Sequence, residues 1–158
     1  MLSAGVARTD ITPPVGIAHA GWGAAIHEAA EGIDMPFYAT TLFVTDGDIE
    51  VAILDLDILI LPGSLADDIR SAIASRIGIG PDHVWVSYTH THSGAEFPDT
   101  WLKEGKELIA PYQDALPGKV AEAAAQAKGA ITPVRVGSGV GQSNINVNRR
   151  PTNHDGFV

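Results

Sequence analysis

The chain has 158 residues, 45% of them apolar and 18% charged, with a formal net charge of −9. This balance suits one packed globular domain rather than a disordered segment, and the acidity argues against a nucleic-acid partner, which needs a basic patch. Cysteine is absent, so disulfides and thiolate ligands are excluded and any metal must be held by nitrogen and oxygen donors.

The first eight residues lack the basic start and continuous apolar core of a signal peptide. The longest apolar run, Ile58-Leu59-Ile60-Leu61, is too short to span a bilayer. A cytoplasmic protein with no transmembrane segment is the expectation.

Residues 3–9 read as a short opening strand, and Asp10-Ile11-Thr12-Pro13-Pro14 turns the chain because each proline fixes its own φ. Residues 15–32 are glycine-rich and poorly periodic, with His19, Trp22 and His27 among them. Such a segment is a surface loop or part of a binding site. Residues 37–45 and 49–58 are β-rich runs joined by Asp46-Gly47-Asp48, a hairpin signal. The second run is nearly all apolar until its end, the pattern of a strand covered on both faces.

Pro62-Gly63-Ser64 opens a helix, with Ser64 as N-cap and Asp67 three residues on. Leu65, Ile69, Ile73 and Ile77 form its apolar stripe and Gly78 closes it. Residues 82–88 resume the β pattern, with Val84, Val86 and Tyr88 on one face. Strand, helix and strand at this length predict a βαβ crossover between parallel strands. Residues 105–128 are helical, best from Gly118, with Pro111 and Pro117 implying a break or a late start. Residues 134–140 read as another strand, and the polar tail from 141 to 158 is turn-rich. The fold class is α/β, a layered sheet with a crossover unit and a β-hairpin.

The densest chemistry lies in Ser87-Tyr88-Thr89-His90-Thr91-His92-Ser93-Gly94. In an extended chain residues i and i+2 share a face, about 7 Å apart along the strand, so His90 and His92 continue the face of Tyr88. Parallel strands bring their carboxyl ends to one edge, where ligands of such sheets bind; Asp55 and Asp57 then end near the two histidines. An H-x-H pair suits neutral imidazoles directed at Zn²⁺, with Asp57 able to fix a histidine tautomer. A hydrogen-bonded core histidine and a turn carboxylate are the plainer alternatives.

Several segments together resemble the neutral/alkaline non-lysosomal ceramidase family. They are Ala4-Gly5-Val6-Ala7-Arg8-Thr9-Asp10-Ile11-Thr12-Pro13-Pro14, the Ala20-Gly21-Trp22-Gly23 loop, the run from Val51 to Asp57, and Asn146-Val147-Asn148-Arg149-Arg150-Pro151. Thr89-His90-Thr91-His92-Ser93-Gly94 is similar to the family's hallmark, except that Ala95 stands where the family has proline. The matches fall in order across essentially the whole chain.

The resemblance implies a zinc-dependent amidohydrolase of the N-acylsphingosine deacylase type. Such an enzyme cleaves the N-acyl amide of ceramide or a related small-molecule amide, ester or lipid. His90 would be a zinc ligand, His92 would lie beside the reacting carbonyl and Arg149 would reach the site. Asp57, Gly21 and Trp22 would support it. The family's other three zinc ligands lie beyond the matched segment, and His154, followed by Asp155, is not a convincing substitute. Residues 1–158 are therefore expected to form a single or partial domain, the amino-terminal part of a larger zinc hydrolase domain, inactive alone. Self-association, or association with a missing carboxyl-terminal part, follows from the exposed strand edges such a part would carry. The rival expectation is a non-catalytic binding or assembly module that retains half of the hydrolase fold.

Overall fold

A computed structural model of the protein describes residues 1–19, 21, 26–97 and 100–146, and the backbone of 152–153 and 156–157. Five strands form one mixed sheet: β1 (Ser3–Asp10), β2 (Tyr38–Thr45), β3 (Glu50–Leu56), β4 (Val84–Tyr88) and β5 (Thr132–Pro133). Their order across the sheet is β4-β3-β2-β1-β5. β3 and β4 pair in parallel and every other pair in this sheet is antiparallel. The helices are α1 (Gly63–Ile77) and α2 (Ile109–Gly129). A separate two-residue ladder joins β6 (Thr152–Asn153) to β7 (Gly156–Phe157).

The expected hairpin and crossover are both present. Between β2 and β3, Asp46 Oδ1 accepts the amides of Asp48 at 3.0 Å and Ile49 at 2.9 Å, and Gly47 takes a φ of 109°. These amides hold the Asp46 carboxyl below its ordinary value. α1 connects β3 to β4 and brings the carboxyl ends of the two strands to one edge of the sheet.

The apolar stripe of α1 buries Ile69, Ile73 and Ile77, and Leu116, Val120, Ala124 and Ala127 of α2 join it over Phe43, Leu54 and Leu56 of the sheet. A β-carbon at Gly5 would overlap the carbonyl of Ala127, so glycine lets α2 lie directly on β1.

Four expectations need correction. α1 starts at Gly63 with Pro62 as N-cap and no side-chain cap bond; the carbonyl of Pro62 accepts the Ala66 amide at 2.9 Å. Ser64 lies inside the first turn, and Asp67 bonds Arg70 instead. α2 runs unbroken past both prolines. Pro111 occupies the first turn, where amides have no intrahelical partner, and the buried stripe outweighs the single bond removed at Pro117.

The strand expected over residues 134–140 does not form: the short strand here is Thr132–Pro133, just before that range, and 134–140 contributes one ladder-like bond, from the Val134 amide to the Leu2 carbonyl. Beyond it Val136 and Val140 are exposed: among the described residues no strand lies beside this β-like pattern, and it stays unpaired. Finally, β3 is covered on one face only. Ala52, Leu54 and Leu56 are buried, whereas Ile53 is exposed, as are Val6 of β1 and Trp85 of β4. Among the described residues no helix is long and apolar enough to cross a membrane.

Candidate functional site

The site grows from the carboxyl ends of β3 and β4. After Tyr88 the chain leaves the ladder but stays tied to the segment following β3. The Thr89 amide donates to Leu56 O at 3.0 Å and the Thr91 amide to Ile58 O at 3.2 Å. His90 does not continue the strand. Its φ is 59°, the one positive value at a non-glycine residue among those described. An extended backbone is therefore not what brings the histidines together; a left-handed residue is, a conformation costing about 1–2 kcal/mol for a side chain with a β-carbon.

The two imidazoles still meet, with ring centroids 5.0 Å apart and planes nearly perpendicular. Each Nδ1 faces a backbone carbonyl: Leu59 O at 2.7 Å from His90, and Gly21 O at 3.0 Å from His92. A carbonyl only accepts, so both Nδ1 atoms carry the proton and, in the neutral rings, both Nε2 lone pairs are left for other work. This is how a protein presents an imidazole ligand to a metal. Both side chains are exposed.

Asp57 is placed nearby but engaged elsewhere. Its Oδ2 accepts the Tyr38 amide at 3.0 Å and its own amide donates to Tyr38 O at 2.9 Å, clamping the start of β2 to the end of β3. Backbone carbonyls, not Asp57, receive the Nδ1 protons. Asp55 Oδ1 accepts the Ser87 hydroxyl at 2.8 Å. Gly21 supplies the carbonyl for His92. Trp22 and Arg149 lie outside the described residues.

Of the segment 15–32, expected as a loop or binding segment, the described residues 15–19, 21 and 26–32 pair with one another and lie against the histidine loop. Ala18 bridges Ala29 and His19 bridges Ala95. Glu28 Oε2 accepts the amides of Lys103 at 2.7 Å and Glu104 at 3.1 Å, which hold its carboxyl below the ordinary value. Between this segment and residues 91–94 of the histidine loop lies a pocket of about 420 Å³, lined by Ile17, His19, Met35, Phe37, Thr91 and Ser93 among others. His19 is held below the usual histidine range by burial and then by His27, whose ring centroid is 5.3 Å away. Its Nδ1 is buried without a partner among the described residues.

Sequence reasoning passed over Glu96. It is 2% exposed, and neither carboxyl oxygen meets a hydrogen-bond partner among the described residues. Nothing local marks it, because its surroundings come from Gly21 and Leu59, far away in the chain. Among the described residues no three His, Asp or Glu side chains converge tightly enough to hold a metal. The fit to zinc is therefore partial: His90, and by the same anchoring His92, offer imidazole nitrogens, and the remaining donors are not among these residues.

No family model matches the sequence, and no curated protein matches it. Its structure is similar to that of neutral ceramidase from Pseudomonas aeruginosa, with a TM-score of 0.69 over 84% of this chain and 22% of that chain, at 15% identity. A structure described as ceramidase complexed with C2 gives a TM-score of 0.68 over the same shares, at 14% identity. The chain thus spans about a fifth of each of these proteins, and what it shares with them is the fold of part of neutral ceramidase.

Proposed function

We propose that the chain is part of a zinc-dependent hydrolase resembling neutral ceramidase, cleaving the N-acyl amide of ceramide or of a related amide, ester or lipid. The observation that carries this reading is the pair of Nδ1-anchored imidazoles at the carboxyl end of a parallel strand pair, within a neutral ceramidase fold. His90 would be a metal ligand through Nε2. His92 would face the reacting carbonyl, and Arg149 would steady its developing negative charge. When bound, zinc activates water and polarises a carbonyl. Asp57, Gly21 and Trp22 would support the site from nearby.

Because the described residues supply an incomplete ligand set, the 158-residue chain by itself is expected to hold zinc weakly and to leave an N-acyl amide substrate intact. Zinc content after dialysis, by atomic emission, tests the first point: less than one tenth equivalent is expected, and a stoichiometric, tightly held zinc overturns it. Hydrolysis is then assayed with the rest of a complete parent protein present. There, His90→Ala should abolish both zinc retention and turnover, and retention of either sinks the assignment.

A second reading, a binding or assembly module without catalysis, is favoured by the uncovered sheet face carrying Val6, Ile53 and Trp85. It includes self-association or association with a missing carboxyl-terminal part. Turnover by the complete parent protein that depends on His90 would decide against it.

A further inference from the structure

The carboxyl of Glu96 lies where a side chain of residue 21 would be. A β-carbon built on Gly21 overlaps Glu96 Oε1 and comes within 2.8 Å of Leu59 Cδ2. Gly21 and Leu59 are the two residues whose carbonyls accept the Nδ1 protons of His92 and His90. The spot that a β-carbon on Gly21 would fill is thus occupied by Glu96 and bordered by the side chain of Leu59, itself 6% exposed.

Glu96 is itself held by backbone: its amide donates to Ala18 O at 2.9 Å, next to the bridge between His19 and Ala95. Neither of its carboxyl oxygens has an ionic or hydrogen-bonding partner among the described residues. What the carboxyl does make is the close approach to the Gly21 α-carbon, of the C–H···O kind. A buried polar group in such a place calls for a reason beyond packing.

We propose that Glu96 is a positioning residue for His92, fixing the Gly21 backbone so that its carbonyl holds the imidazole in the Nδ1–H tautomer. This rests on the reading that His92 belongs to the functional site, but the tautomer can be read without zinc or hydrolysis. Loss of the hydrolase reading and loss of this one are therefore separate events. Among the described residues no charge partner holds the carboxyl, so its shape and polarity carry the role, and glutamine should replace it.

The test is long-range ¹H–¹⁵N correlation on the full ¹⁵N-labelled chain at about pH 8, above the reference imidazole value. Wild type and Glu96→Gln are expected to keep His92 in the Nδ1–H form. Glu96→Ala, which leaves the spot empty, and Gly21→Ala, which breaks the same contact from the other side, should shift it to the mixed tautomers of a free histidine. His83, whose Nδ1 faces Glu50 O at 2.9 Å just before β4, is the internal control and should not change. If Glu96→Ala does not fold, Gly21→Ala carries the decision. An unchanged His92 in the disrupted variants, a Gln variant as disturbed as the Ala variant, or an equal change at His83 would overturn the proposal.

Discussion

His90 and His92 present their rings edge to face at 5.0 Å from a backbone that turns left-handed at the first of them. The turn matters because it lets the His90 Nδ1 reach Leu59 O while His92 points back to Gly21 O. Side-chain branching at position 90 therefore acts on the loop as well as on the chemistry. Asparagine tolerates this conformation better than most residues and valine tolerates it poorly. His90→Val is expected to destabilise the chain by about 1–2 kcal/mol more than His90→Asn, a difference readable as a lower urea midpoint at unchanged slope. Equal midpoints would show that the left-handed turn is not under strain.

His19 offers a pH dependence of definite sign. Its folded value lies below the ordinary 6.5 because burial, and then the neighbouring His27, disfavour the imidazolium. The unfolded chain consequently binds the proton more readily, and stability falls as pH drops below 6.5 toward the folded value. The depressed carboxyls of Asp10, Glu28 and Asp46 act in the same direction, but only as acid approaches their own, much lower range. Urea midpoints from pH 7.5 to about pH 5 should thus decline in wild type and decline less in His19→Gln. An identical decline in both would remove His19 as the cause.

The core holds a polar atom without a partner. Thr41 is fully buried on the helix-covered face of β2, and its hydroxyl finds no hydrogen bond among the described residues. Valine has the same shape without the hydroxyl, so Thr41→Val should raise stability by about 1 kcal/mol. Thermal and urea unfolding check this, and a destabilised variant would mean that the hydroxyl has a partner after all.

Much of this architecture was legible because periodicity reports local packing. The Ile69, Ile73 and Ile77 stripe of α1, the Asp46-Gly47 turn and the parallel ends of β3 and β4 all follow from spacing alone. The pairing of His90 with His92 was also legible, although the extended geometry expected for it was not the one adopted. The left-handed His90 depends on where Leu59 O lies, and that is tertiary information. Glu96 escaped for the same reason: its burial is made by segments far from it in the chain. Val134 and Val136 alternate as a strand does, yet pairing needs a neighbour, and β5 stops where β1 begins. The continuous apolar run of β3 suggested cover on both faces, but the buried residues of α1 and α2 join one cluster over the same face.

That uncovered face leads to the last prediction. Val6, Ile53 and Trp85 are 60%, 39% and 67% exposed; Leu42 lies half-buried between Val6 and Ile53 in the same cross-strand row, and Val51 lies half-buried beside Ile53 on the same face. Among the described residues β4 is also an open edge of the sheet, and exposed edges pair readily with other chains. An apolar surface of this kind, with Trp85 at its rim, should bind a hydrophobic dye and draw chains together as concentration rises. A single charge there opposes both effects: Trp85→Lys removes the ring and leaves a desolvation penalty in any face-to-face contact. Light scattering coupled to size exclusion is expected to give a mass that grows with concentration for the wild-type chain and a constant monomer mass for Trp85→Lys. A wild-type chain that stays monomeric throughout would show that the open face does not drive self-association. A variant that associates as wild type does would place the contact elsewhere.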